Sequence, residues 1–128
     1  MPESTRLRTH PQQRFDASAH LLDLGAIAES LRAEHHDAVS GHRQIAIYKH
    51  GQATIVLYAF EAGGEMAAHD TEGVVTIHVL NGELSVTVGT TTHDVGSGQV
   101  LALAPGVRHS VRASEPGEML LTVHFAGA

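Results

Sequence analysis

Two stretches of this chain decide its fold: residues 64–82, which read GEMAAHDTEGVVTIHVLNG, and residues 98–111, which read GQVLALAPGVRHSV. Each contains a short apolar run typical of a strand, bounded by glycine turns. Each also places a histidine beside a predicted strand end, since His69 precedes one strand and His109 follows the Pro-Gly turn at Pro105. The two stretches therefore predict two β-hairpins that each bring one imidazole to the end of a strand.

The rest of the chain from His42 onward shows the alternation of apolar and polar residues that is typical of strands. The predicted strands cover residues 43–49, 53–60, 74–80, 83–88, 91–95, 99–103, 109–113 and 119–125. Glycine or Pro-Gly turns separate almost every pair of them. Many short, evenly spaced strands predict an all-β sandwich or barrel.

The first 41 residues follow a different pattern. Residues 1–19 lack periodicity, and we expect them to form a loosely held arm. Between Asp23 and Glu34 apolar residues recur at helical spacing, and Asp23 is a suitable N-cap. We therefore expect residues 1–41 to form an arm and a short helix packed on the barrel, and residues 42–128 to form the barrel domain.

The amino-acid composition limits the classes of ligand and partner that the protein can bind. The chain has 128 residues, enough for one domain with a real core, and no cysteine, so any metal site must use imidazole and oxygen ligands. A formal charge of −6 with only two tyrosines and three phenylalanines argues against nucleic acid, because phosphates attract clustered Lys and Arg and bases stack on aromatic rings. The histidine content is unusual, at eleven residues. Because imidazole is a common metal ligand, this content is compatible with a metal site.

The chain also lacks the signals of a membrane or secreted protein. No apolar run approaches the roughly 18 residues that a membrane helix needs. Residues 1–14 are too polar for a secretory signal. We expect a cytoplasmic protein that binds neither membranes nor nucleic acid.

The two histidine motifs resemble those of the cupin superfamily. In that pattern the first motif reads Gly, five residues, His-x-His, three or four residues, Glu, six residues, Gly. His69 stands at its first histidine position and Gly82 closes it, while Thr71 and Val75 occupy the second histidine and glutamate positions. The second motif ends in a Pro-Gly turn followed by a histidine, here His109. The chain is thus similar to small single-domain cupins of the conserved-barrel cupin 2 type, with a degenerate metal motif.

This resemblance implies a double-stranded β-helix, or jelly-roll, barrel with one short N-terminal helix. Cupins usually offer three histidines and one carboxylate to a metal, and here His69 and His109 remain. Glu72 is the expected third ligand, with Asp70 as its alternative, and the other possibility is that both acids face water. The implied cofactor is a divalent metal such as zinc, iron, manganese or nickel.

Strand alternation selects the candidate pocket residues. Val75 and Ile77 share one face of their strand, which we expect to point into the barrel. His78 lies on the opposite face of the same strand. His124 either lines the pocket or faces solvent, and both histidines are kept as candidate pocket residues.

Three functions fit these features. The first is a small cupin that binds a divalent metal, a small molecule or both in the barrel. The second is a metal-dependent enzyme of the dioxygenase or isomerase type that uses His69 and His109 with a non-standard third ligand. The third is a structural module whose barrel is filled by side chains. A homodimer is expected in each case, because pairing would cover an open sheet edge.

Overall fold

The computed structural model describes residues 17–35 and 37–125. Within this part of the chain one helix, α1, spans Leu24–Arg32 and is followed by nine strands. The strands are β1 (His42–His50), β2 (Ala53–Phe60), β3 (Glu65–His69), β4 (Val74–Asn81), β5 (Glu83–Val88), β6 (Thr91–Gly96), β7 (Val100–Leu103), β8 (His109–Arg112) and β9 (Gly117–His124). The expected arm over residues 1–19 falls almost entirely outside the described residues.

The strands form two antiparallel sheets that share one apolar core. The five-stranded sheet has the order β1-β2-β9-β4-β7, and the four-stranded sheet has the order β3-β8-β5-β6. Buried side chains from both sheets meet between them, among them Ile77 and Met119 from the first sheet and Leu84 and Val111 from the second. This arrangement confirms the predicted all-β jelly-roll barrel with one short helix.

Strand alternation decides which side chains enter this core. On β4, Val75, Ile77 and Val79 are at most 2% exposed, whereas Thr76 and His78 between them are only partly buried. Successive side chains of a strand point to opposite faces. The apolar set of β4 therefore faces the four-stranded sheet, and His78 lies on the outer face of the five-stranded sheet.

Helix α1 covers part of that outer face. Asp23 caps the helix, since its carboxylate accepts a hydrogen bond of 3.1 Å from the backbone N–H of Ala26. Ala28 and Leu31 are buried on the inner side of the helix, and Ala28 joins Ile47 and Leu57 in a second apolar cluster. The helix prediction is confirmed, and the helix buries a face of the sheet that would otherwise expose Leu57. The division of the chain into residues 1–41 and 42–128 stays a prediction.

Strand β3, Glu65–His69, is the element that the sequence pattern missed. Met66 is its only buried apolar residue, and Ala67 and Ala68 are both exposed. Alanine has a low preference for strands, and the register against β8 shifts between Met66 and His69, which breaks the period of two. This segment consequently looked like a loop before the strand at Val74.

Two glycines hold the start of β1 against the start of β3. The backbone N–H of Glu61 donates to the carbonyl of Gly41 at 2.8 Å, and that of Glu65 donates to the carbonyl of Ser40 at 2.9 Å. A Cβ atom on Gly41 would lie 2.6 Å from Cα of Gly64, and a Cβ on Gly64 would overlap the carbonyl oxygen of Gly41. Only residues without a side chain allow the two backbones to lie this close.

We expect Gly64→Ala to lower the free energy of unfolding by at least about 2 kcal/mol, because backbone must move to admit the methyl group. Gly25→Ala is the matched control, since its Cβ would meet only the Asp23 carboxylate at 3.7 Å. Alanine is also the better helix former, so this control should lose nothing. Urea unfolding of the two variants measures both effects, and equal midpoints would show that the Gly41–Gly64 contact is unimportant.

Tyr58 is a buried phenol whose ionisation links the stability of the fold to pH in the alkaline range. Its side chain is 7% exposed and stacks on Phe60, with ring centroids 5.9 Å apart. Burial raises the pKa of Tyr58 above its usual 10.0, because the phenolate is poorly solvated in the core. The unfolded chain therefore releases the phenol proton at a lower pH than the folded chain does.

We expect the stability of the protein to fall as the pH rises above about 10, since only the unfolded state gains from ionisation there. Tyr58→Phe removes this contribution but keeps the ring. The urea-unfolding free energy should therefore decline less in Tyr58→Phe than in the wild type between about pH 9 and pH 11. Parallel declines in the two proteins would mean that Tyr58 does not ionise on unfolding.

Candidate functional site

The two histidines singled out from the sequence lie side by side at one end of the barrel. His69 ends β3 and His109 begins β8, and the two are direct cross-strand partners. Their ring centroids are 4.6 Å apart, with the ring planes tilted by 55°. The loops that follow β3 and precede β8 also meet, since the backbone N–H of Gly106 donates to the carbonyl of Thr71 at 2.7 Å. We call this end of the barrel the mouth.

A β-bulge brings His69 opposite His109. Glu65 pairs with Arg112 and Met66 with Val111, and continuing this register would place Ala68 opposite His109. The register shifts by one residue after Met66, so His69 takes that position instead. Bulges redirect side chains in this way because the extra residue reverses the alternation beyond it.

Backbone hydrogen bonds fix both rings in the same tautomer. The Nδ1 atom of His109 lies 3.0 Å from the carbonyl oxygen of Val107, and that of His69 lies 3.2 Å from the carbonyl oxygen of Ala67. A carbonyl can only accept, so Nδ1 donates in both rings, and Nε2 of each neutral ring carries a lone pair. His109 is 1% exposed, and its buried Nε2 has no hydrogen-bond partner in the part of the chain that the structure describes.

The surroundings of this pair combine apolar and polar groups. Val88 is the cross-strand partner of His109 on β5. Val88, Val107 and Val123 are partly buried valines that pack against the core at strand ends or loops of the mouth. A small cavity beside His109 is lined by Ala68, Thr87, Gly89, Arg108 and Ser110. Apolar walls with a few polar groups are the usual composition of a small-molecule site.

The acidic residues near the pair do not join it. Asp70 lies 3.6 Å from Arg108 in an ion pair whose side chains are 55% and 66% exposed. Glu72 is exposed. Across residues 17–35 and 37–125, no three His, Cys, Asp or Glu side chains are grouped so that they could hold a metal. The described structure therefore does not place Glu72 or Asp70 as a third ligand beside His69 and His109.

The structure separates the predicted pocket residues into two groups. Val75 and Ile77 lie in the barrel core, at 2% and 0% exposure. His78 lies on the outer face of β4, where its cross-strand partner is Leu120, and His124 is exposed at the end of β9. Neither is brought to the His69–His109 pair, because both occupy outward positions of their strands.

His42, the first residue of β1, lies at the opposite end of the barrel from the mouth. Its ring packs on Tyr58 and Phe60, with centroids 5.4 and 5.5 Å away, and its Nδ1 lies 2.9 Å from the carbonyl oxygen of Glu65. The antiparallel pairing of β1 with β2 places His42 opposite Phe60, far along β2 from the mouth. It therefore has a packing role.

Sequence reasoning missed the groups that orient the two imidazoles. These are backbone carbonyls, at Ala67 and Val107, and any residue type supplies a carbonyl. In both cases the accepting carbonyl belongs to the residue two positions before the histidine. This common spacing becomes apparent only when the positions of the rings are known. Val88 and Val107 were missed for a related reason, since nothing in their own segments marks them as neighbours of the mouth.

The two antiparallel sheets face each other and form a jelly-roll barrel. Its two glycine-rich hairpin motifs meet at the mouth, where they bring the histidine pair together. A model of the cupin domain family matches residues 56–125, more than half of the chain. This chain therefore belongs to the cupin domain family.

Solved structures agree on the fold. A conserved protein of unknown function from Streptococcus pyogenes is 20% identical, with a TM-score of 0.71 over 96% of this chain and 100% of its own. A cupin superfamily protein from Desulfitobacterium hafniense is 17% identical, with a TM-score of 0.69 over 88% and 96%. An RmlC-like cupin from Desulfovibrio desulfuricans is 28% identical, with a TM-score of 0.59 over 63% and 79%. A search of curated proteins found no match.

Helix α1, the one helix in the described part of the chain, lacks the length and apolar character that crossing a membrane requires.

We expect His69 and His109 to be in the Nδ1–H form when neutral, because each Nδ1 donates to a carbonyl. Two-bond proton–nitrogen spectra of the histidine rings at about pH 8, above the ordinary imidazole pKa, distinguish the two tautomers. His93, which is exposed on β6, is the reference and should show the Nε2–H form favoured in water. A dominant Nε2–H form at His109 would contradict the proposed geometry.

Proposed function

We propose that this cupin binds a small molecule at the mouth of the barrel, with Nε2 of His69 and of His109 as the polar anchors. One observation supports the proposal most directly: Nε2 of His109 is buried and finds no hydrogen-bond partner among residues 17–35 and 37–125. The backbone orients the ring through Nδ1, and no described group binds Nε2. A ligand that donates a hydrogen bond would use it.

The energetics favour a binding role over a purely structural one. A buried polar atom without a partner costs about 1–3 kcal/mol, and a core position as closed as that of His109 would be more stable with an apolar side chain. The neighbouring interior positions, Val86 and Val111, are apolar in this way. The imidazole at His109 is therefore explained by the contact that it makes with a ligand.

A divalent metal at the same pair is the second candidate, and the tautomer supports it. Metal-binding histidines characteristically donate their other ring N–H to a carbonyl or carboxylate, which is the arrangement of both rings here. Zinc, iron and nickel all accept imidazole nitrogen. His69 and His109 would supply two ligands, and a bound ion would act as a Lewis acid towards an oxygen of the small molecule.

The remaining expectations stay predictions. A dioxygenase or isomerase would need coordination positions left open for its substrate, and a two-histidine site has them, but no described contact selects a reaction. A homodimer and a cytoplasmic location are likewise untested.

The proposal is tested by screening polar organic molecules by ligand-observed NMR against untagged, chelator-treated protein. Ligands of the mouth should bind the wild type and lose about tenfold or more in affinity in His69→Ala/His109→Ala, because the double variant removes both anchors. His78→Ala/His93→Ala is the matched control, since it removes two imidazoles that lie away from the mouth. If every ligand binds the two double variants equally, the histidine pair is not the site.

Elemental analysis of the same untagged protein tests the second candidate. Metal that is present in the wild type and in His78→Ala/His93→Ala, but absent from His69→Ala/His109→Ala, would identify the pair as its site. Metal retained by all three proteins would place it elsewhere.

A further inference from the structure

A separate cavity lies on the outer face of the five-stranded sheet, away from the mouth. Its volume is about 280 Å³, and the described residues that line it include Arg32 from the last turn of α1, Arg43 from β1 and Glu61, which follows β2. The cavity is next to the end of the sheet where His42 pairs with Phe60, which is opposite to the histidine pair. None of these residues belongs to the binding site proposed at the mouth.

The space for a ligand arises at Ala59, which lines the cavity with a short side chain. Its cross-strand partners are Arg43 on β1 and Glu118 on β9, so an alanine stands between two long side chains. The residues before and after Ala59 on β2 belong to the barrel core, and its methyl group therefore points to the outer face. Arg32 reaches the same place from the helix, where it forms an ion pair with Glu118.

Arg43 and its carboxylate partner differ in exposure. The Arg43 side chain is only 15% exposed, and its Nη1 lies 3.1 Å from Oε2 of Glu61, whose side chain is 58% exposed. A mostly buried cation needs a counter-charge, because removing a charge from water is costly unless the charge is paired. An ion pair with an exposed side chain contributes little stability. A carboxylate from outside can therefore replace that of Glu61 at small cost.

The lining of the cavity favours one negative charge on a small apolar body. Its described residues carry two guanidinium groups and one carboxylate, so the lining has one net positive charge. The formal charge of −6 on the whole chain matters less here, because charges beyond about 10 Å are largely screened at ordinary ionic strength. A guanidinium group holds a carboxylate through two parallel N–H donors. Ala59, Ala62 and Pro116 supply apolar walls.

We infer that this cavity is a binding site for a small monocarboxylate, separate from the mouth. The carboxylate of the ligand takes the place of Glu61 against Arg43, and its apolar body rests on Ala59 and Pro116. Arg32 adds a second positive charge near the carboxylate. A doubly charged anion such as phosphate fits less well, because the lining offers one net positive charge and apolar walls do not solvate a second negative one.

The experiment uses 2-methylpropanoate as the probe, with 2-methylpropanamide and inorganic phosphate for comparison. Proton–nitrogen correlation spectra of untagged, chelator-treated protein follow each titration at about pH 7, where the carboxylic acid is ionised. We expect 2-methylpropanoate to shift the amide signals around Arg43 and Glu61 in a saturable manner. The amide has the same shape but no charge, so it should bind at least about tenfold more weakly, because hydrogen bonds to charged groups are the stronger ones. Phosphate should also bind more weakly.

Variants connect the effect to the cavity. Arg43→Gln should weaken binding of 2-methylpropanoate about tenfold or more, because it removes the charged donor. Arg112→Gln is the matched control, since it removes the same charge from an exposed position on β8. Glu61→Gln removes the competing carboxylate and should strengthen binding about threefold, whereas Glu83→Gln, at an exposed position on β5, should not. The gain in Glu61→Gln is a result that misfolding cannot produce.

Four results would overturn the inference. Equal binding of the amide and the carboxylate would show that charge does not direct the ligand to the cavity. Tighter binding of phosphate would show that the ligand class is wrong. Unchanged affinity in Glu61→Gln would mean that its carboxylate does not occupy the site. Binding that is lost in His69→Ala/His109→Ala but kept in Arg43→Gln would place the carboxylate at the mouth instead. The binding function proposed for the mouth does not depend on these results.

Discussion

The site depends on the register in which β3 pairs with β8. Regular pairing from Glu65 and Met66 onward would put Ala68 opposite His109 and turn His69 towards solvent. One extra residue in β3 reverses that alternation and brings the centroids of the two imidazole rings to 4.6 Å from each other. The close backbone contact between Gly41 and Gly64 fixes the start of the same strand. A small local irregularity on a rigid frame therefore creates the only described position where two histidine rings pack together.

The side chains of the barrel differ in burial between its centre and the mouth, where the histidine pair lies. Towards the centre, Ile77, Val79 and Leu84 are fully buried and contribute to stability by removing apolar surface from water. At the mouth the valines are only partly buried, and one polar ring replaces an apolar side chain. This gradient fits the proposed binding role, since the closed layer holds the frame while Val88, Val107 and Val123 stay partly accessible at the mouth.

Much of the fold could be predicted from the sequence, because most strands alternate cleanly and end at glycine turns. Strand β3 could not, since Ala67 and Ala68 carry little strand preference and the bulge interrupts the period. The motif resemblance identified His69 and His109 as candidate site residues. It could not predict the orientation of the Asp70 carboxylate, because that orientation depends on residues that are close in space. Arg108 pairs with Asp70 at the surface, and no pattern in residues 64–82 indicates that pairing. The outward position of His78, by contrast, follows directly from alternation with Val75 and Ile77.

The overall charge of the chain also bears on which ligands reach the mouth. With a formal charge of −6, the protein repels an anionic ligand at long range and attracts a cationic one. The exposed Arg108–Asp70 pair beside the mouth carries one charge of each sign and adds no net local attraction for an anion. The electrostatics thus favour a neutral or cationic ligand for the proposed site.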